Sequence, residues 1–311
     1  MRRNRRADKQ VCLRGEVSLI SPMLCETGSV RDLKRQGYVA ERKYDGTRLL
    51  VIKENGKVTL QNRRGIIYTA RLPEIVKAAK TIPEDFIIDG EVVYVNPKTG
   101  KEEFTPCQRR CATNFPDPFM IKQFPVTLMA FDILKFQGEN VTDRPFHKRK
   151  LLLQGILLGR DTVQYVPYRY DLEEAWKEVQ KEQEEGLILK DLNSRYENRR
   201  SYSWLKIKNW RPPEVCEVVG FTQGKNARNG LFGSLVLSRN GKYRGCVGSG
   251  FSDWELRQIK DILADAPRIQ PPFDIGEPYV AVRTDLKVEV KYYKTTEAGV
   301  MRFPVFVRVV E

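Results

Sequence analysis

Glu41-Arg42-Lys43-Tyr44-Asp45-Gly46-Thr47-Arg48 joins two strand-like segments, Tyr38 to Arg42 and Arg48 to Lys53, across an Asp-Gly turn signal. A third segment, Lys57 to Asn62, follows Asn55-Gly56. Together they predict three consecutive antiparallel strands. Lys43 stands at a strand end, facing the turn. A Lys-x-Asp-Gly string alone is more often a solvated turn than a site. A free lysine titrates near ~10.4 and is a poor nucleophile at neutral pH. Nearby cations, a metal and partial burial lower that value. Arg48, Lys206, Lys208, Glu91 and Glu185 are the residues that could supply such surroundings.

Further along, Glu74 to Lys80 has helical spacing behind Pro73. Phe86 to Val95 reads as a strand interrupted at Asp89-Gly90-Glu91, and Thr127 to Leu134 as another strand. Leu172 to Glu185 reads as a charged helix with Ala175, Trp176 and Val179 inward. Leu187 to Lys190 and Trp204 to Lys208 read as short strands. Asn209-Trp210-Arg211-Pro212-Pro213 cannot continue a central strand. The expected organisation is therefore one domain over 1–211 and a second over 212–311. The second is nearly all β: Val215 to Thr222, Gly233 to Ser238, Tyr243 to Gly248, Leu286 to Tyr293 and Val305 to Val310. One helix, Asp253 to Leu263, is capped by Ser252 or Asp253. Five strands and one helix fit an OB-fold barrel, and the whole reads as α+β.

The chain has 311 residues, enough for two cores, and an ordinary hydrophobic fraction of 41%. No apolar run approaches the ~20 residues of a membrane span. Met1-Arg2-Arg3-Asn4-Arg5-Arg6 has no apolar stretch behind it, so it does not read as a secretory signal. It reads equally as solvated tail or phosphate contact. The net charge of +14, from 54 Lys and Arg against 40 Asp and Glu, favours a polyanionic partner. The six cysteines, Cys107 and Cys111 included, complete no zinc set and read as reduced thiols of a cytoplasmic protein. His147, the only histidine, reads as a surface residue at a helix start. A single histidine argues against Ser-His-Asp, Cys-His and His-rich metal chemistry.

Lys206 and Lys208 share a face if Trp204-Leu205-Lys206-Ile207-Lys208 is a strand. Adjacent ammonium groups favour an anion between them, and phosphate is the natural guest. The same pair would lower the pKa of a third lysine. Lys43 would then attack phosphorus and leave a lysine–nucleotide phosphoramidate. Glu91 could bind a ribose hydroxyl or a metal. Glu185, at the unfavourable end of its expected helix, is more easily tolerated beside a divalent cation. Phe131 could stack on a purine, although core packing is the default for such a residue. Asn62-Arg63-Arg64-Gly65 offers guanidinium forks for phosphate or is an ordinary hairpin turn.

Lys-x-Asp-Gly-x-Arg, Arg-x-Gly, Asp-Gly-Glu, Phe-Asp, Glu-Gly-x-x-x-Lys and Leu-Lys-x-Lys occur here in that order. From about Pro22 onward the chain resembles the covalent nucleotidyltransferases, most closely ATP-dependent DNA ligases. Arg63-Arg64-Gly65 with Thr69 to Glu74, Gln108-Arg109-Arg110, Arg199-Arg200-Ser201, Gly224-Lys225, Phe232 to Leu235 and Arg302-Phe303-Pro304 are similar to prokaryotic end-joining ligase domains. The resemblance implies a nucleotidyltransferase domain of antiparallel sheets with flanking helices, followed by the OB-fold domain. It implies that Lys43 is adenylylated from ATP and that Glu41 faces the adenine amino group. Arg48, Arg63 and Glu91 would hold ribose, phosphates or the nick 5′-phosphate, and Phe131 would stack on adenine. Lys206 and Lys208 would grip the α-phosphate, and Glu185, with Glu91 as helper, would serve Mg²⁺ or Mn²⁺. The implied partners are nicked double-stranded DNA and end-joining repair proteins, with a monomeric chain, no membrane, and a prokaryotic, nucleoid-associated location.

Two departures carry expectations. Family members usually continue past Phe-Pro to Arg-x-Asp-Lys, whereas this sequence reads Val309-Val310-Glu311. The expectation is poor self-adenylylation from ATP with retained sealing of a pre-adenylylated nick. A large N-terminal DNA-binding domain is also absent from the resemblance, so grip would come from the core domains, the basic start or a partner. A capping guanylyltransferase, an RNA ligase and a non-catalytic nucleic-acid-binding module remain alternatives. GTP labelling, 2′-hydroxyl preference and an inert Lys43 would mark them respectively.

Overall fold

The computed structural model describes residues 19–296 and 298–310, and the Met1 to Arg6 cluster and Cys12 lie outside them. The chain forms two compact units, one ending at Ile207 and the other starting at Lys208. No helix among the described residues is long and apolar enough to cross a membrane.

The first unit runs through β1 (Leu24–Thr27), β2 (Tyr38–Arg42), β3 (Thr47–Glu54), β4 (Lys57–Asn62), α1 (Pro73–Lys80) and β5 (Phe86–Val93). It continues through α2 (Phe104–Ala112), α3 (Pro118–Gln123), β6 (Thr127–Phe136), β7 (Glu139–Asn140), α4 (Phe146–Leu157) and β8 (Val163–Tyr165). It closes with α5 (Leu172–Lys181), β9 (Gly186–Asp191) and β10 (Arg200–Lys208). These strands build two sheets, ordered β1-β10-β9-β2 and β4-β3-β5-β6-β7, with β8 beside β6.

Strand alternation sorts the side chains into three layers. Ala40, Leu187, Leu189, Leu205 and Ile207 of the first sheet pack on Leu172, Ala175 and Val179 of α5. Leu49, Val51, Leu60, Ile88, Leu128 and Ile133 of the second pack on α1, α2 and α4. Between the sheets lie Met23, Leu50, Ile52, Ile87, Leu134, Tyr196 and Trp204, with Phe131 against them.

Three sequence expectations change. Asn55-Gly56 does make a hairpin, both residues at positive φ (50° and 73°) between paired β3 and β4. Asp45-Gly46 does not: β2 pairs with β9, β3 pairs with β4 and β5, and the chain crosses there from one sheet to the other. Gly46 is needed for closeness, since a Cβ on it would stand 2.0 Å from the Val92 carbonyl oxygen. Asp89-Gly90-Glu91 does not interrupt a strand. It lies inside β5, paired to β3 and β6, with a register shift against β6 between Asp89 and Gly90. The α5 helix ends at Lys181, and Gln183 turns the chain at φ 56°. Glu185 therefore sits at the entrance to β9, clear of the helix end, and the dipole argument for it falls away. His147 lies in the first turn of α4, half-buried, with Nδ1 3.0 Å from the Leu192 carbonyl oxygen.

The second unit holds β11 (Glu214–Gln223), β12 (Phe232–Arg239), β13 (Lys242–Val247), α6 (Asp253–Asp265) and β14 (Val280–Ala281). β15 (Lys287–Lys291), β16 (Lys294–Thr295), β17 (Met301–Arg302) and β18 (Val305–Val310) complete it. The path β13-β12-β11-β15-β18, antiparallel throughout, wraps a core of Val218, Leu235, Leu237, Val288 and Phe306 against Leu256, Ile259 and Leu263 of α6. Ser252 caps α6 in a capping box with Glu255. This is the OB-fold arrangement the strand count implied.

Candidate active site

Lys43 is the first residue beyond β2, on the crossover between the sheets. Its backbone N–H donates to the Gly186 carbonyl at 2.9 Å. Its Nζ stands 2.5 Å from Glu185 Oε1. The register brings the two together: Arg42 pairs with Leu187 in the antiparallel ladder, which sets Lys43 opposite Gly186 and its side chain beside the adjoining Glu185.

Arg48, Asp89 and Glu91 project from neighbouring strands on the inner face of the second sheet. Arg48 pairs with Glu91, and Leu50 with Asp89, in the β3–β5 register. The Arg48 fork grips both oxygens of Asp89, each at 2.6 Å, and donates to the Met23 carbonyl at 3.1 Å. Burial pushes the Arg48 guanidinium down, but Asp89 outweighs it and the net direction is up. Tyr196 donates to the same Asp89 carboxylate at 2.6 Å. Burial raises the Glu91 pKa to about 8 against the pull of Arg48 and Lys43, with Glu185 and Asp89 reinforcing the rise. Glu91 thus lies within electrostatic reach of Lys43, Arg48 and Glu185. Burial also raises the Cys25 thiol, and the charges of Arg48, Lys190, Lys206 and Lys43 oppose it. All four cations, Lys206 included, therefore lie within electrostatic reach of Cys25.

Phe131 is half-buried, with Arg48 4.6 Å and Lys190 4.4 Å from its ring centre. Glu41 is 2% exposed and already paired at both oxygens, with Lys150 and Lys190 at 2.7 Å each. A nucleobase amino group would have to use a remaining lone pair of that carboxylate. Burial lowers the Lys150 pKa to about 8, with Glu41 opposing and Lys190 adding to the shift.

One expected residue makes none of these contacts. Arg63 is exposed in the turn after β4, and its side chain makes no hydrogen bond or ion pair among the described residues. Lys208, the last residue of β10 and the first of the second unit, has its Nζ 5.0 Å from the Trp210 ring and 5.8 Å from that of Phe303. A depression of about 490 Å³ between Lys34, Tyr38, Tyr170 and Leu192 contains none of the expected site residues.

The sequence reading missed Asp89, Lys150 and Lys190 as parts of the site. Lys190 had a signal: in β9 it shares a face with Ile188, and Ile188 pairs with Glu41. Lys150 had none, since it comes from α4. No group of three or more His, Cys, Asp or Glu side chains converges among the described residues. Glu185 and Glu91 supply two carboxylates. That suits Mg²⁺, which takes one or two protein carboxylates and completes its shell with phosphates and water. The cluster can therefore hold a polyphosphate beside an amine, with carboxylates placed for a metal.

Residues 22–208 match the ATP dependent DNA ligase domain model and residues 224–311 the ATP dependent DNA ligase C terminal region. The multifunctional non-homologous end joining protein LigD of Mycolicibacterium smegmatis is 30% identical over 91% of this chain, which spans 37% of that protein. A DNA ligase of Thermococcus fumicolans is 30% identical over 93% of this chain, which spans 55% of it. The chain thus covers between about a third and a half of the length of these relatives. Among solved structures, mycobacterial DNA ligase D complexed with ATP and MES is similar at 28% identity and a TM-score of 0.57, covering 92% of this chain and 93% of that one. The Mycobacterium tuberculosis LigD ligase domain is similar at 28% identity and a TM-score of 0.56, covering 94% and 95%. With both units matched by its models, this chain belongs to the ATP-dependent DNA ligase family.

Proposed function

We propose that this chain joins a 5′-phosphate to a 3′-hydroxyl at nicks in double-stranded DNA, using ATP and a lysine–AMP intermediate on Lys43. The observation that carries this is the amine of Lys43 on the sheet crossover, against Glu185 and amid Arg48, Glu91 and Lys206. In the first step the Nζ lone pair forms a bond to the α-phosphorus of ATP. The bond to the bridging oxygen breaks, pyrophosphate leaves with that electron pair, and the proton shed by Nζ goes to water. In the second step an oxygen of the nick 5′-phosphate bonds to the AMP phosphorus, and Nζ recovers its electron pair and a proton. In the third the 3′-hydroxyl attacks the 5′-phosphorus, AMP departs, and the hydroxyl proton passes to water.

Each step gathers negative charge on phosphate oxygens, so fixed cations dominate the catalysis. Arg48, braced by Asp89, and Lys206 supply that charge, and Lys208 is a further cation for phosphate. Glu185 and Glu91 would hold Mg²⁺ or Mn²⁺, which supplies Lewis-acid charge at the phosphate. Phe131 offers a ring face to adenine, Glu41 a fixed acceptor, and Arg63 a phosphate contact. The similarity to end-joining ligases supports repair of broken chromosomal DNA as the setting, with end-joining proteins as partners and the nucleoid as the place of work.

The test is incubation with α-labelled ATP or GTP and Mg²⁺ or Mn²⁺, then denaturing electrophoresis and intact mass. The expected result is an AMP adduct that Lys43→Ala abolishes. A GMP adduct, or an AMP adduct that survives in Lys43→Ala, would overturn the reading.

A further inference from the structure

Two consecutive residues of the first strand edge meet two consecutive residues ahead of β9. Lys43 contacts Glu185, and Arg42 Nε contacts Glu184 Oε1 at 3.0 Å. The other end of the Arg42 fork, Nη2, reaches Glu102 Oε1 at 3.0 Å. Glu102 uses its second oxygen to accept the Asp45 backbone N–H at 3.0 Å. Arg42 also lies over the Tyr44 ring, 5.2 Å from its centre. The guanidinium thus ties together both sides of the loop that bears Lys43.

We infer that Arg42 is a positioning residue for the adenylylation of Lys43. This rests on the reading of Lys43 as the nucleophile. To attack phosphorus, Nζ must leave Glu185 and turn toward the nucleotide. During that exchange the lysine loses its side-chain anchor. What then fixes the loop is the Lys43 N–H on Gly186, the Asp45 N–H on Glu102, and the two Arg42 pairs. Arg42 bridges the Glu102 and Glu184 sides with the two ends of one fork. A planar fork can hold two carboxylates at once, whereas an ammonium group is a single point charge. A displacement of about 1 Å at a reacting atom costs up to about a hundredfold in rate.

The effect should be confined to the step in which Lys43 is the attacking group. Sealing of a pre-adenylylated nick uses the same protein and metal but a 3′-hydroxyl nucleophile. The experiment measures single-turnover AMP-adduct formation across ATP concentrations, and separately sealing of a pre-adenylylated nick, for Arg42→Ala, Arg42→Lys and Glu184→Gln. The expected result for Arg42→Ala is about a tenfold fall in the maximal adduct rate. Its half-saturating ATP concentration and its pre-adenylylated sealing rate should stay within about twofold of the unaltered protein. Arg42→Lys should fall between the two, and the Arg42→Ala/Glu184→Gln pair should be no slower than Arg42→Ala alone. Equal losses on both substrates, a change only in half-saturating ATP, or an unchanged adduct rate would overturn the inference while leaving the nucleophile intact. An adduct that persists in Lys43→Ala would overturn the nucleophile and the inference together.

Discussion

Lys150 holds its charge in a buried place, and its stability contribution should carry a pH signature. Its pKa falls from 10.5 to about 8 because burial disfavours the ammonium. Between those values the unfolded chain keeps a proton that the folded protein has released, so stability from this group rises with pH. Below about 8 both states hold the proton and the burial penalty is fully present. Lys150→Met removes this dependence. The expected outcome is an unfolding free-energy difference, wild type minus variant, that is flat below pH 8. It should then climb by at most roughly 1.4 kcal/mol per pH unit toward pH 10.5. Urea unfolding at several pH values reads it, and a flat difference across the range would contradict it. At this scale the sequence exposed the residues with recognisable spacing, such as Lys43, Glu91 and Glu185. It hid Asp89 behind Arg48 and Lys150 behind Glu41, because those partners arrive from 41 and 109 residues away. Buried charge pairs of this kind form through tertiary contact, which no local pattern encodes. The wholly buried Arg149–Asp132 pair, bonded at 2.7 and 2.8 Å, is another such case.

Strands and helices were legible where alternation or capping chemistry spoke, as in the β3–β4 hairpin and in α6 with its Ser252 cap. The failures were at Asp-Gly strings. Asp45-Gly46 and Asn55-Gly56 look equivalent as dipeptides, yet one crosses between sheets and the other closes a hairpin. The difference lies in what approaches the glycine. A Cβ at Gly56 would meet nothing within 4 Å, whereas at Gly46 it would collide with the Val92 backbone. Gly56→Asn should therefore leave stability nearly unchanged, because Asn tolerates positive φ. Gly46→Ala must push the crossover off β5 and should cost on the order of 1–3 kcal/mol, as overpacking typically does. It should also slow adduct formation, since Lys43 is three residues away. Melting temperatures and adduct rates for the two variants check this, and equal tolerance at both sites would refute it.

At the scale of the whole chain, the excess of basic residues predicts salt-sensitive DNA binding. Each phosphate neutralised releases counterions, so affinity for nicked duplex should fall linearly on a logarithmic salt scale. A site relying on several lysine and arginine contacts loses orders of magnitude between about 50 and 200 mM salt. A flat response in a titration of labelled nicked DNA would mean that contacts other than charge dominate. The chain divides between Ile207 and Lys208, whereas Pro212-Pro213 suggested a boundary at 211/212. The stacking of two separate sheets in the first unit was not readable from the sequence, because strands adjacent in sequence went to different layers.

That layering has a mechanical consequence. Lys43, the proposed nucleophile, rides on the first of two crossovers between the sheets, with its amide fixed to β9 of one and its loop pressed against β5 of the other. Its reach is thus a gauge of the spacing between the layers. Met23, Leu50, Ile52 and Trp204 set that spacing without contributing a reacting atom. Compression or loosening of this filling should be transmitted to Nζ as a change in attack distance. The tempo of the first step would then answer to hydrostatic pressure, and to the volume of side chains such as Met23 and Leu50.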